Sequence, residues 1–94
     1  MEREAPVSKK LPLYYVVAHN CDCHTFEDVI EGLLRILAMS VHDAVQKAIE
    51  IDHSGRGVVA LTHLEAAEMY AARLRDEIIS RTGTKLRTSV VPAG

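Results

Sequence analysis

Three times along this chain a hydroxyl residue is followed three positions later by an acid: Thr25 with Asp28, Ser40 with Asp43, and Thr62 with Glu65. Such a pair marks a helix N-terminus, where the hydroxyl accepts from a backbone N–H that the helix leaves unpaired and the acid reaches back to the cap. The residues after each pair repeat with helical period. Behind the first, Val29, Ile30, Leu33, Leu34, Ile36 and Leu37 step by three and four, with Glu27, Asp28, Glu31 and Arg35 on the opposite arc. Behind the others come Val41, Ala44, Val45, Ala48 and Ile51, then Leu64, Ala67, Ala71, Leu74 and Ile78. The spacing predicts helices from Phe26 to Leu37, from Ser40 to about Ile51, and from Thr62 to about Arg81. Gly55 suits the left-handed end of the second, and Gly83 is placed to stop the third.

Three β-branched or aromatic runs of strand length frame these helices: Leu13–Ala18 after Pro12, Val58–Leu61, and Leu86–Val91 before Pro92. The order is β-α-α-β-α-β, without internal repeats. That order predicts an α+β, two-layer sandwich, a three-stranded antiparallel sheet with three helices on one face. With 94 residues there is one core. Residues 1–10 lack an apolar period and are expected to form a mobile tail, leaving residues 11–94 as a single domain.

Composition narrows the function. Eleven Lys and Arg against thirteen Asp and Glu give a formal charge of −2 with no basic stripe, so the footprint of a nucleic-acid binder is missing. No apolar run approaches the ~20 residues of a membrane span, and Met1–Lys10 lacks a signal peptide's apolar segment, so a cytoplasmic protein is expected; a monomer is expected as well. No Ser-His-Asp order, glycine-rich phosphate loop or paired catalytic carboxylates emerges, which argues against an enzyme and against a cofactor. A small sandwich has little concave volume, so a site belongs on loops and helix ends.

The densest chemistry lies in His19-Asn20-Cys21-Asp22-Cys23-His24, between the first strand and the first helix. Metal binding is one reading, since two imidazoles and two thiols fall within six residues. Cysteines one residue apart, with no second ligand pair elsewhere, depart from structural zinc spacing, and no metal is assigned. The same spacing looks poor for a mutual disulfide, so free thiols are expected, with Asp22 disfavouring the thiolate. A third reading is a shelf for a cation. In an extended insert Asn20, Asp22 and His24 point one way and His19, Cys21 and Cys23 the other. An amide oxygen and a carboxylate just ahead of Phe26, Val29 and Ile30 would suit a charged amine on an apolar body, as at a free chain N-terminus.

Leu13–Val17 leading into Asn20-Cys21-Asp22, the Phe26–Leu37 helix, the Asp52-His53-Ser54-Gly55-Arg56-Gly57 turn and the start of the Thr62–Glu68 helix together resemble the ClpS family, adaptors of Clp proteases. The resemblance covers roughly residues 12–91 without a gap. It implies an N-degron receptor that is not an enzyme, grips the α-amino group and bulky hydrophobic first side chain of a substrate, and hands it to a ClpA- or ClpC-type AAA+ unfoldase. By this resemblance Asn20, Asp22 and Asp52 fall at amine-binding positions. His24, Phe26, Val29, Ala48, Ile51 and Leu86 fall on the side-chain pocket, and Glu65 and Tyr70 at the unfoldase interface. The chain departs from the family at four of its motif positions and one contact. Cys21 stands for an Asp, Asp52 for a His, Phe26 and Ala48 for Met, and Tyr70 for a basic residue; the segment ahead of the domain is also short. Phe26 removes pocket volume where Ala48 adds it, which favours Leu, Ile or Val over Trp as the first residue. The alternative is a protein-interaction domain like the ribosomal stalk protein's C-terminal domain, which shares the sandwich and has no amine pocket. Asn20 and Asp22 could also be turn residues bonding their own backbone, and Asp52 could pair with Arg56 past the helix end. His42, His53 and His63 read as surface histidines.

Overall fold

The computed structural model describes residues 12–80 and 83–94; the expected N-terminal tail and the expected helix end at Arg81 lie outside them. The elements follow the predicted order: β1 (Leu13–His19), α1 (Phe26–Leu37), α2 (Val41–Ser54), β2 (Arg56–His63), α3 (Leu64–Glu77) and β3 (Thr88–Pro92). β1 is the middle strand of an antiparallel sheet ordered β2-β1-β3, with Tyr15 opposite both Leu61 and Val91 and a bulge between Val16 and Val17. Pro92 costs no interior bond because β3 is an edge strand.

The helices start where the sequence puts two of the three caps. Thr25 Oγ1 accepts from the Asp28 N–H at 3.1 Å while the Asp28 carboxylate accepts from the Thr25 N–H at 3.2 Å, a complete capping box. Ser40 Oγ accepts from the Asp43 N–H at 3.1 Å. The third expectation fails. Thr62 is strand, paired with Tyr14, and α3 begins after His63, which makes no side-chain cap bond. Pairing with β1 runs on to His63 opposite Leu13, so β2 extends beyond the predicted Val58–Leu61 at both ends.

The end of α3 also differs. The helix stops at Glu77 rather than near Arg81, and Ile78 turns extended at φ −100°, ψ 91°. Its carbonyl accepts from the Leu86 N–H at 3.1 Å, and Ile79 bridges Lys85. Gly83, at φ 85°, lies between the two bridge partners instead of ending the helix, its N–H donating to the Ser80 carbonyl at 2.9 Å. Leu86 therefore pairs with the segment after α3, and β3 begins two residues later than predicted. Ile78 keeps the helical period because it is 3% exposed whichever way its backbone runs.

The core lies between the inner sheet face and the helices: Val16, Ala18 and Val59 against Leu33 and Ile36 of α1, Ala44, Ala48 and Ile51 of α2, and Ala67, Ala71 and Leu74 of α3. Alanines on α2 and α3 let these helices lie close on the sheet. α1 packs directly on Ile78 at Gly32, where a Cβ would collide with its Cδ1 and Cγ1. Val41, predicted on the apolar stripe of α2, is 65% exposed, since the first turn of α2 reaches past the core.

Candidate functional site

α1 starts and α2 ends at the same edge of the sandwich, and a backbone bond joins them to the sheet. Gly55 caps α2 in the left-handed conformation at φ 86°, its N–H donating to the Ile51 carbonyl at 2.9 Å. The Gly55 carbonyl then accepts from the Asn20 N–H at 2.8 Å. The residue leaving β1 is thereby held beside the last turn of α2, which carries Asp52.

Between them lies a recess of about 260 Å³ lined by Asn20, His24, Thr25, Phe26, Val29, Ala48, Ile51 and Asp52. Seven of the nine residues assigned to amine binding and the side-chain pocket meet there. Asn20, Thr25 and Asp52 are its exposed polar groups, while Val29, Ala48 and Ile51 are buried. Phe26, the first residue of α1 and the chain's sole phenylalanine, remains 46% exposed at the rim. Larger depressions lie elsewhere, about 540 Å³ along Met39, Asp43 and Ile49, about 450 Å³ on the open sheet face and about 390 Å³ beside Pro12, Tyr14 and Leu64, and none of the three is lined by a residue assigned to amine binding or the side-chain pocket.

Two assigned residues are placed differently. Leu86 is 2% exposed and does not line the recess; it lies behind the wall, its N–H on the same Ile78 carbonyl that His24 engages. Asp22 is exposed and outside the lining. The expected extended insert does not form, because the His24 N–H donates to the Cys21 carbonyl at 3.0 Å and residues 22–23 turn. The row of Asn20, Asp22 and His24 is broken accordingly. The same turn corrects the reading of the cysteines as free thiols: Cys21 and Cys23 are disulfide-bonded. Two residues of extended chain would hold their Cα atoms about 6.8 Å apart. The turn brings them to 5.2 Å, near the usual disulfide span.

The two histidines of the insert part company. His24 Nε2 lies 3.1 Å from the Ile78 carbonyl. A carbonyl can only accept, so Nε2 carries the proton and Nδ1 is left facing Cys23 Sγ at 3.4 Å. His19 turns to the open sheet face, with Nε2 2.7 Å from Ser89 Oγ. Its pKa is lowered by burial first, then by Arg87 and Arg56. Thr25, which sequence reasoning treated as a cap alone, also lines the recess. At the assigned unfoldase contacts, Glu65 is exposed in the first turn of α3 and Tyr70 packs partly against the core. The Asp52–Arg56 pair does not form among the described residues.

The sandwich is a small single module whose recess pairs a polar rim with an apolar floor. The family described as "ATP-dependent Clp protease adaptor protein ClpS" matches residues 9–89, and the chain belongs to the ClpS family. It is 32% identical over 83 residues to the ATP-dependent Clp protease adapter protein ClpS of Gloeobacter violaceus, covering 87% of this chain and 89% of that one. It is 30% identical over 89 residues to the E3 ubiquitin-protein ligase UBR1 of Drosophila melanogaster, covering 86% of this chain and only 5% of the ligase. Among solved structures, Agrobacterium tumefaciens ClpS2 bound to L-phenylalaninamide superposes with a TM-score of 0.78 at 24% identity, over 88% of this chain and 99% of that one, which establishes the shared fold. No helix among the described residues is long and apolar enough to cross a membrane.

Proposed function

We propose that the recess binds the free α-amino group and hydrophobic first side chain of peptide or protein substrates, and that the chain is a non-catalytic adaptor presenting them to a ClpA- or ClpC-type AAA+ unfoldase. The observation that carries this reading is the convergence of Asn20 and Asp52 with Phe26, Val29, Ala48 and Ile51 on one recess. An ammonium carries donors and positive charge, which an amide oxygen and a carboxylate complement, and the apolar floor receives the side chain. Asp22, exposed on the neighbouring turn, adds negative charge nearby. The recess, at about 260 Å³, is small for a ligand site and suits one side chain. Phe26 narrows it and Ala48 opens it, which favours Leu, Ile or Val over Trp.

Burying one aliphatic side chain contributes ~1.5–3 kcal/mol, whereas micromolar affinity needs about 8 kcal/mol. The amine contacts must supply much of the remainder, so blocking the amine should abolish binding. Fluorescence anisotropy of labelled peptides differing only at residue one (Leu, Ile, Val, Phe, Trp, Gly), each free and acetylated, tests this. Free Leu, Ile and Val peptides are expected to bind and every acetylated one to fail. Binding indifferent to acetylation would instead favour an interaction domain without an amine pocket. Handover is proposed to use Glu65 and the α3 surface, and Glu65→Lys should weaken capture by the unfoldase while leaving peptide affinity intact.

A further inference from the structure

We propose that, once its disulfide is reduced, the Cys21–Cys23 turn together with His24 is a binding site for one thiophilic d10 cation, with Zn²⁺ the ion it fits. The site shares only His24 with the recess lining, and its case does not rest on amine recognition. Cys21 Sγ, Cys23 Sγ and a ring nitrogen of His24 lie within 4.8 Å of one another. Tetrahedral zinc with one sulfur and one nitrogen ligand, at about 2.3 and 2.0 Å, sets those two donors about 3.5 Å apart. Cys23 Sγ and His24 Nδ1 stand at 3.4 Å. Two thiolate ligands on zinc lie about 3.8 Å apart, a separation the sulfurs reach only when the bond between them is broken. Reduction is thus what opens the site.

The surroundings prepare these donors. The Ile78 carbonyl holds the proton of His24 on Nε2, which fixes the tautomer whose Nδ1 lone pair is free to ligate, the arrangement that supports histidine ligands in metal sites. The Cys23 N–H points at Cys21 Sγ at 3.3 Å, a contact that favours sulfur carrying negative charge. His19 is not a fourth ligand, being engaged with Ser89 on the sheet face. The protein supplies three donors, and solvent completes the tetrahedron. In the chemical balance, two equivalents of a thiol reductant turn the disulfide into two thiols and leave as their own disulfide. Zn²⁺ then displaces both thiol protons to solvent and takes His24 as a neutral ligand. Soft thiolates select zinc over magnesium or calcium.

The test titrates the whole chain, reduced and oxidised, with Zn²⁺ against a chromogenic chelator, and with Co²⁺ while recording sulfur-to-cobalt charge-transfer absorbance. The reduced chain should bind one zinc and show the thiolate band, and the oxidised chain should do neither. Cys23→Ser should remove the band. His24→Gln should weaken zinc binding by at least the ~10- to 100-fold that loss of a supporting hydrogen bond costs a metal site. Reduced chain without zinc or band, equal binding in both redox forms, or undiminished affinity in His24→Gln overturns the proposal. Should a variant not fold, by circular dichroism, the comparison of redox forms of the unaltered chain decides alone.

Discussion

Asp52 puts a carboxylate where the ClpS resemblance implies an imidazole, and its effect depends on what it faces. Across a 260 Å³ recess from Asn20, it replaces a neutral acceptor by a charged one. Charged hydrogen bonds contribute about 1.5–3 kcal/mol each. Asn20→Ala or Asp52→Ala should therefore weaken binding of a free Leu peptide by one to two orders of magnitude and leave the acetylated peptide unchanged. Undiminished affinity for the free peptide would mean that these residues do not touch the amine. A second residue-scale expectation concerns His19. Its pKa is held below the ordinary 6.5 by burial and by Arg87 and Arg56. Below 6.5 the unfolded chain gains a proton that the folded chain refuses, so this contribution to stability is complete above 6.5 and is lost as pH falls through the lower folded value. The urea midpoint should drop more between pH 7.5 and 5 in the unaltered chain than in His19→Asn. An identical drop in both would place the pH sensitivity elsewhere.

At the scale of elements, the recess depends on where helices begin and end. The Thr25 box fixes the first turn of α1 and with it Phe26. Thr25→Ala should cost about 1 kcal/mol by loss of the cap, seen in chemical denaturation. Gly55 closes α2 and presents its carbonyl to Asn20. At φ 86° a Cβ has open space around it and the wrong backbone conformation. Gly55→Ala should cost about 1–2 kcal/mol, with a further loss of peptide affinity as the Asn20 anchor shifts. Gly32 acts from the other side, since its bare Cα lets α1 close over Ile78, whose carbonyl orients His24. Gly32→Ala gains up to ~1 kcal/mol of helix preference. Against this stands the ~1–3 kcal/mol of overpacking beside a residue 3% exposed. A net loss in denaturant midpoint is expected; a gain would show that Ile78 repacks freely.

Across the whole molecule, the proposed amine grip predicts how affinity should respond to pH. An α-amino group with a free pKa of about 7.7–8.0 should have it raised when held beside carboxylates. Affinity is then complete below the free value and declines as pH rises through the bound one. Affinity unchanged well above pH 10 would remove the ammonium from the account. Much of this molecule could be read before it was seen folded. Capping pairs at Thr25 and Ser40, helical periods, and strand runs are local signals, set by backbone bonds and side-chain spacing within a few residues, so the order of elements and most core positions followed. Three things were decided only in the assembled chain. Pairing with β1 converted Thr62 from helix cap to strand, because the ladder bonds extended along β2. The carbonyl of Ile78, turned out of α3, took Leu86 behind the recess wall and fixed the ring of His24. The turn at residues 22–23 drew Cys21 and Cys23 within bonding reach. Each depends on partners that only folding brings near, or on a backbone turn that side-chain spacing does not encode.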